Sequence, residues 1–319
     1  MQKRLKLKLM LGILSVVFIT VLAACGSKSN SGESTGAAAG AKTGGDYPNS
    51  QLLADVNWVN DHLNDPKVVL IDARAKGYEE GHIRGAVNLK TGDINDPKNP
   101  VKGFLLGEEA FGEVIRKLGV NQDSTVLVYD EGNALSATRI FYAFEYYGLR
   151  DQVKVLNGGY PAWLAAGKDV STDAPQIAPG NFTAKANAAL ISTKAEITGE
   201  LNDPKLVFLD ARSADEYTGK DLRGNKNGGH IPGAVNRDWS ESIQKGEDGI
   251  ERFKSYETLK AEFEKIGTVK DKTVVPYCQT NVRGAHTYFT LRLLGYSDIR
   301  PYEGSWSEWG NAIDTKIEK

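Results

Sequence analysis

The residues with the most chemical potential form one short run, Cys278-Gln279-Thr280-Asn281-Val282-Arg283-Gly284. It follows the apolar stretch Val274-Val275-Pro276-Tyr277 and precedes a helical pattern. The thiol is therefore predicted at the carboxyl end of a strand, facing a helix N-terminus, where open α/β sheets place their ligands. Backbone N–H groups of such a loop and the helix dipole favour an anion, so they lower a thiol pKa and can bind an anionic substrate. Arg283 adds a permanent charge with forked donors. A thiolate nucleophile and an anion site are supplied together. A small buried hydrophobe is the other reading of the same thiol, because most free cysteines behave that way.

The rest of the chain bounds what that thiol can do. Of 319 residues, 40% are hydrophobic and 25% charged, a globular composition with room for about two domains. Basic and acidic residues number 39 and 41, so no basic face invites nucleic acid. Two cysteines and four histidines exclude a disulfide framework and a cysteine-type zinc site.

The second cysteine, Cys25, belongs to an export signal. Lys3, Arg4, Lys6 and Lys8 precede an apolar run over Leu9–Ala24, which is shorter than the roughly 20 residues of a membrane-spanning helix. The run ends in Leu22-Ala23-Ala24-Cys25-Gly26, which resembles the lipobox of bacterial lipoproteins, where the cysteine is lipidated and the chain is cut just before it. An uncleaved anchor or an ordinary signal is the competing reading. Removal of residues 1–24 leaves 295 residues and takes the formal charge from −2 to −6. Residues 25–46 carry the lipidated Cys25 and a Gly/Ser/Ala-rich tether, a random coil spanning on the order of 25 Å. The expected location is the outer face of a bacterial membrane. An unpaired thiol outside the cell is an oxidation liability, which favours a working role for Cys278.

What remains is a repeat. Val68-Val69-Leu70-Ile71-Asp72-Ala73-Arg74 returns as Leu206-Val207-Phe208-Leu209-Asp210-Ala211-Arg212, 138 residues on. Gly81-His82-Ile83-Arg84-Gly85-Ala86-Val87-Asn88 returns as Gly229-His230-Ile231-Pro232-Gly233-Ala234-Val235-Asn236 at an offset of 148, so ten residues are inserted near Lys220–Gly228. Val126–Asp130 matches Val274–Cys278, and Gly158–Trp163 matches Gly304–Trp309. Buried strands are predicted at Leu206–Ala211 and Thr273–Tyr277, and helices at Tyr256–Ile266 and Arg283–Leu294. Continuous apolar strands alternating with helices imply α/β domains, each with a mostly parallel sheet covered on both faces. The first domain is placed at residues 47–170, a Pro/Gly-containing linker at 171–188 and the second domain at 189–319. At the place of the thiol the first copy has Asp130-Glu131-Gly132-Asn133-Ala134-Leu135, with neither nucleophile nor arginine, and is expected to be inert.

The tandem arrangement, the Asp-Ala-Arg strands, Gly229-His230-Ile231-Pro232-Gly233-Ala234, the Cys278 loop and the closing Tyr302-Glu303-Gly304-Ser305-Trp306-Ser307-Glu308-Trp309 together resemble a two-domain rhodanese, a thiosulfate sulfurtransferase, over about residues 50–312. The resemblance implies a catalytic C-terminal domain and an inactive N-terminal one that helps close the site, with neither metal nor organic cofactor required. It implies that Cys278 attacks the outer sulfur of thiosulfate, releases sulfite and holds a persulfide that a thiol or cyanide then relieves. Backbone N–H groups from Gln279, Thr280, Asn281, Val282, Arg283 and Gly284 would cradle that sulfur, with Arg283 on the sulfonate oxygens. Cysteine phosphatases resembling this fold use Cys-x5-Arg; the tighter Cys-x4-Arg here suits a single sulfur.

Some positions depart from that pattern. Gln279 stands where thiosulfate-using members often carry a basic residue, and Glu216, before Tyr217, stands where several carry arginine. Asn281 replaces the usual loop glycine but tolerates positive φ. Pro276 removes a ladder bond if its strand is central. His286, three residues after Arg283, is expected to be a hydrogen-bonded structural histidine, with tuning of the thiolate as the alternative. His82 and His230 recur in both copies, as do Asp72-Arg74 and Asp210-Arg212, so structural roles are expected. Trp306 and Trp309 are expected to pack a short terminal helix. Two classes of function follow: a sulfurtransferase working through Cys278, or a non-catalytic, lipid-anchored binding or sulfur-carrier module.

Overall fold

The computed structural model describes residues 47–319. The signal, Cys25 and the tether fall outside the described residues. In the first half, β1 (Leu53–Ala54), α1 (Val56–His62), β2 (Val68–Asp72), β3 (His82–Ile83), β4 (Val87–Asn88), α2 (Glu108–Lys117), β5 (Thr125–Tyr129), α3 (Leu135–Tyr146), β6 (Val153–Leu156), α4 (Gly159–Ala165) and β7 (Val170–Ser171) follow in order. Five strands pair in parallel in the order β1-β6-β5-β2-β4, and β3 pairs with β7 at the margin.

The second half repeats the plan with α5 (Lys194–Glu200), β8 (Leu206–Asp210), α6 (Ala214–Tyr217), β9 (Val235–Asn236), the hairpin β10 (Ile243–Lys245) and β11 (Glu251–Phe253), α7 (Tyr256–Lys265), β12 (Thr273–Tyr277), α8 (Val282–Leu293) and α9 (Ser305–Trp309). Its sheet β12-β8-β9 is continued past β12 by parallel bridges of Val274 to Ile299 and of Ser192 to Tyr302, which restores the five-strand order of the first half. Every residue of β12 is buried, as expected for a parallel sheet covered on both faces. Pro276 is therefore central. The ladder runs from Val274 N–H to Asp298 O (3.1 Å), so the missing Pro276 N–H would have met the Arg300 carbonyl, which accepts the Ser192 hydroxyl (3.0 Å) instead.

The halves meet through α3 and α8 in a nearly two-fold manner. Phe141 meets Phe289 edge-on at 4.7 Å, and Tyr142 meets Tyr288 at 5.3 Å. These pairs exchange under an offset of 147 residues, the signature of an isologous contact. Glu145 accepts the Tyr288 hydroxyl (2.5 Å) and two bonds from Arg292 (3.0 and 2.9 Å), which closes the buried interface. The segment between the halves forms no strand or helix over 172–187 and lies along the first half, with Gly180 N–H on Arg116 O (2.8 Å) and the buried Phe182 against Phe111.

The repeated motifs build repeated structure. Arg74 and Arg212 each fork onto the aspartate two residues earlier and reach a glycine carbonyl, Gly81 at 2.6 Å and Gly229 at 2.7 Å. His82 stacks on Tyr78 at 4.0 Å and His230 on Tyr217 at 3.6 Å, and each Nδ1 meets the carbonyl of that tyrosine. Trp306 and Trp309 are buried on α9, their indole N–H groups donated to Asn227 O and Lys316 O. The structural roles expected for these residues hold.

Candidate active site

Strand β12 delivers Cys278 to the carboxyl edge of the sheet, and α8 begins four residues later. The turn between them needs one residue in the left-handed region, and Asn281 supplies it with φ 57° and ψ 17°. Its Nδ2 donates to Glu303 Oε2 at 2.6 Å. A Cβ on Gly284 would fall 2.4 Å from Asn281 Oδ1, so glycine there lets this side chain lie across the turn. Cys278 is buried, its N–H donates to Ser305 Oγ (3.2 Å), and its carbonyl accepts Trp306 N–H (2.9 Å). The N–H groups of Gln279, Thr280, Asn281, Val282, Arg283 and Gly284 have no protein partner among the described residues.

The first copy shows what such donors hold. Asp130 follows β5 as Cys278 follows β12, and its carboxylate accepts the N–H groups of Gly132 (2.9 Å), Ala134 (3.2 Å) and Ala137 (3.1 Å). Burial pushes this carboxyl up to about 6 despite those bonds. The cradle of the first copy is filled by its own side chain. It is also one residue longer than the sequence match implies, because Leu135 opens α3 five residues after Asp130, whereas Val282 opens α8 four residues after Cys278. Through α3 and α8 the copies run at an offset of 147.

Two guanidiniums face the Cys278 sulfur, and both are paired. Arg283 gives Nη1 to Glu216 Oε2 (2.6 Å) and Nη2 to Oε1 (2.9 Å). Burial opposes the charge of Arg283, but Glu216 and the facing sulfur raise its pKa; burial likewise opposes ionisation of Glu216, yet Arg283 lowers it to about 2. The Nη donors expected to hold sulfonate oxygens are thus committed to Glu216. The second guanidinium, Arg139, comes from α3 of the first copy and was not singled out in the sequence. Fully buried, it donates to Glu303 (2.7 and 3.2 Å) and to Gly103 O (2.6 Å). Glu303 also accepts Asn281 Nδ2 and Leu105 N–H (3.2 Å), so Arg139–Glu303–Asn281 ties the first copy to the Cys278 loop. Gly103, at φ 99°, presses on Thr280 so closely that a Cβ would stand 2.7 Å from the Thr280 carbonyl.

His286 occupies in α8 the place Arg139 has in α3. It is stacked on Phe253 at 5.2 Å with Trp239 edge-on at 5.0 Å. Neither ring nitrogen has a hydrogen bond of normal geometry, which corrects the expectation of a hydrogen-bonded histidine. Burial, then the charge of Arg237, holds its pKa down at about 3, a contact with the Asn133 backbone offsetting little. It faces the loop of the first copy, away from the thiol.

A cleft of about 550 Å³ opens over Gln279, the residue after the thiol. The inserted segment forms one wall. Its Asn225 exchanges two 3.0 Å hydrogen bonds with the Gln279 amide, and Lys226 N–H is held by Asn311 (3.0 Å). Lys102 of the first copy faces it across the cleft. Among the described residues no group of three metal-ligating side chains occurs, and no helix is long and apolar enough to cross a membrane.

Comparison with known proteins agrees with this geometry. The rhodanese-like domain model matches twice, over residues 55–166 and 193–312. The chain is 34% identical over 287 residues to the sulfur carrier protein TtuD of Thermus thermophilus, covering 86% of this chain and 98% of that protein. It is 32% identical to a thiosulfate sulfurtransferase of Corynebacterium glutamicum, covering 86% and 92%. The solved 3-mercaptopyruvate sulfotransferase SseA of Escherichia coli superposes with a TM-score of 0.72 at 29% identity, covering 80% and 98%. Two copies of one α/β unit, one cradle closed by its own aspartate and one left open around a cysteine, place this chain in the rhodanese-like sulfurtransferase family.

Proposed function

We propose that this protein transfers sulfane sulfur through a persulfide on Cys278. The observation that carries the reading is the contrast between the cradles: the N–H groups that hold a carboxylate in the first copy are without a partner around the thiol of the second. Such donors stabilise a thiolate and then the terminal sulfur of a persulfide, both anions at the same place. The thiolate attacks the outer sulfur of the donor, the donor's own bond to that sulfur breaks, and the electron pair leaves with the remainder, which is sulfite for thiosulfate. An acceptor thiolate or cyanide then attacks the outer sulfur of the persulfide and regenerates Cys278. Arg283 balances charge at the sulfur, and Asn281, held by Glu303 and Arg139, fixes the turn.

Assay of the purified protein with a panel of sulfane donors and cyanide tests this reading. Thiocyanate is expected to form with wild type and to vanish in Cys278→Ser; turnover surviving in Cys278→Ser refutes it. A second reading, a sulfur carrier that is loaded once and unloaded by a partner, draws on the similarity to TtuD, and stoichiometric loading without turnover would favour it. For the segment ahead of the described residues, lipidation at Cys25 and anchoring outside the cytoplasm are proposed from the lipobox pattern. Palmitate labelling lost in Cys25→Ala supports this, and labelling retained in that variant overturns it.

A further inference from the structure

Resting on the sulfur-transfer reading, we propose that the site prefers a donor whose carboxylates lie several bonds from a neutral reacting sulfur, the protonated persulfide of a low-molecular-weight dicarboxylate thiol, over a compact dianion such as thiosulfate. Two separate observations lead there. Among the described residues both guanidiniums facing the sulfur are in ion pairs: Arg283 is bound through both Nη groups to Glu216, and Arg139 to Glu303. A compact dianion carries its charge within a bond or two of the attacked sulfur and would have to shed water in a site whose guanidiniums are already neutralised.

The mouth of the cleft is the opposite. Lys102, Arg223 and Lys226 line it, all three exposed and none in an ion pair among the described residues. Two of them lie in the segment that the second copy has and the first lacks. The acid in the lining, Glu308, accepts the Tyr302 hydroxyl at 2.8 Å, and Asp221 beside the cleft accepts Arg223 N–H at 2.9 Å. A volume of about 550 Å³ is in the range of pockets for drug-sized ligands rather than five-atom ions. A dicarboxylate thiol would place its carboxylates on these cations and its neutral stem along Gln279 toward Cys278. In the loading step the Cys278 thiolate bonds to the neutral terminal sulfur of the protonated persulfide R–S–SH, the S–S bond of the donor breaks, and the pair leaves on the inner sulfur, which takes the proton as R–SH while Cys278 keeps the terminal sulfur as a persulfide anion. One thiolate and one persulfide exchange, with no net oxidation.

The test measures kcat/KM for glutathione persulfide, thiosulfate and the carboxylate-free persulfide of mercaptoethanol, with wild type and the triple variant Lys102→Ala/Arg223→Ala/Lys226→Ala. Wild type is expected to prefer glutathione persulfide to thiosulfate by about tenfold or more. The triple variant is expected to lose about thirtyfold with glutathione persulfide and less than about twofold with mercaptoethanol persulfide, as three partly screened contacts allow. Equal use of thiosulfate and glutathione persulfide, or an equal loss with both persulfides, overturns the inference while leaving sulfur transfer intact. Failure of every donor to load Cys278 overturns the sulfur-transfer reading itself.

Discussion

Replacing Glu216 with Gln removes the carboxylate that holds both Nη groups of Arg283 at 2.6 and 2.9 Å. The side chains are 2% and 16% exposed, so solvent screens the pair little. Burial pushes the Glu216 carboxyl up and Arg283 more than offsets it, leaving the pKa at about 2 against an ordinary 4.5. A carboxylate whose pKa is lower in the folded chain contributes stability that is complete above the unfolded pKa and is lost as pH falls toward the folded one. At about 1.4 kcal/mol per tenfold change in proton affinity, this contribution is about 3 kcal/mol at neutral pH and about half that near pH 3. Urea unfolding of wild type and Glu216→Gln, followed by tryptophan fluorescence from pH 7 down to pH 3, reads it as the gap between the two curves. The gap is expected to narrow by about 2 kcal/mol across that range. A gap that stays constant with pH would refute the assignment of this pair as a buried, fully formed bridge.

Three further outcomes follow from the same geometry. Arg139→Ala strands the Glu303 carboxylate, 3% exposed, without its cation; unfolding free energy should fall by roughly 3–5 kcal/mol, and persulfide formation at Cys278 should slow although the mutation lies in the other half. Rates unchanged in a folded Arg139→Ala would remove its positioning role. His286→Phe should flatten the acid limb of stability, because a histidine held neutral by burial resists protonation in the fold and costs stability as pH falls from about 6.5 toward about 3; the check is the same urea series. Asp130→Ala empties the cradle of the first copy of a carboxylate holding three backbone N–H groups, so stability should drop by about 1–3 kcal/mol with sulfur transfer within about twofold of wild type.

The position of the thiol was legible because two independent signals met there: an apolar run too short for a helix, and a repeat that aligned it with Asp130. The strand and helix bounds around it agree with the sequence reading to within a residue, since β12 is a continuous apolar run that stops at the polar loop from which α8 starts. Arg139 and Glu303 were not legible as a pair. They are 164 residues apart and meet only because α3 packs on α8, a contact no local pattern encodes. Carrying the repeat through the helices would have aligned Arg139 with His286 and exposed one charged and one neutral residue at the same pseudo-symmetric place. The extra residue in the first-copy loop was hidden because Ala134-Leu135 continues the apolar helix pattern in either register. Glu216 was visible as a departure, but its consequence required knowing that α6 turns it onto Arg283. The role of the insertion, as a cationic wall of the cleft, emerged only from where it folds back.

The central claim is that the open cradle around Cys278 holds a transferable sulfur. Intact-protein and peptide mass spectrometry after brief exposure to a sulfane donor tests it most directly. The expected result is a gain of one sulfur atom, mapped to Cys278, removed by cyanide and absent from Cys278→Ser. A wild-type protein that gains no sulfur from thiosulfate, mercaptopyruvate or an organic persulfide, or gains it elsewhere than Cys278, contradicts the account.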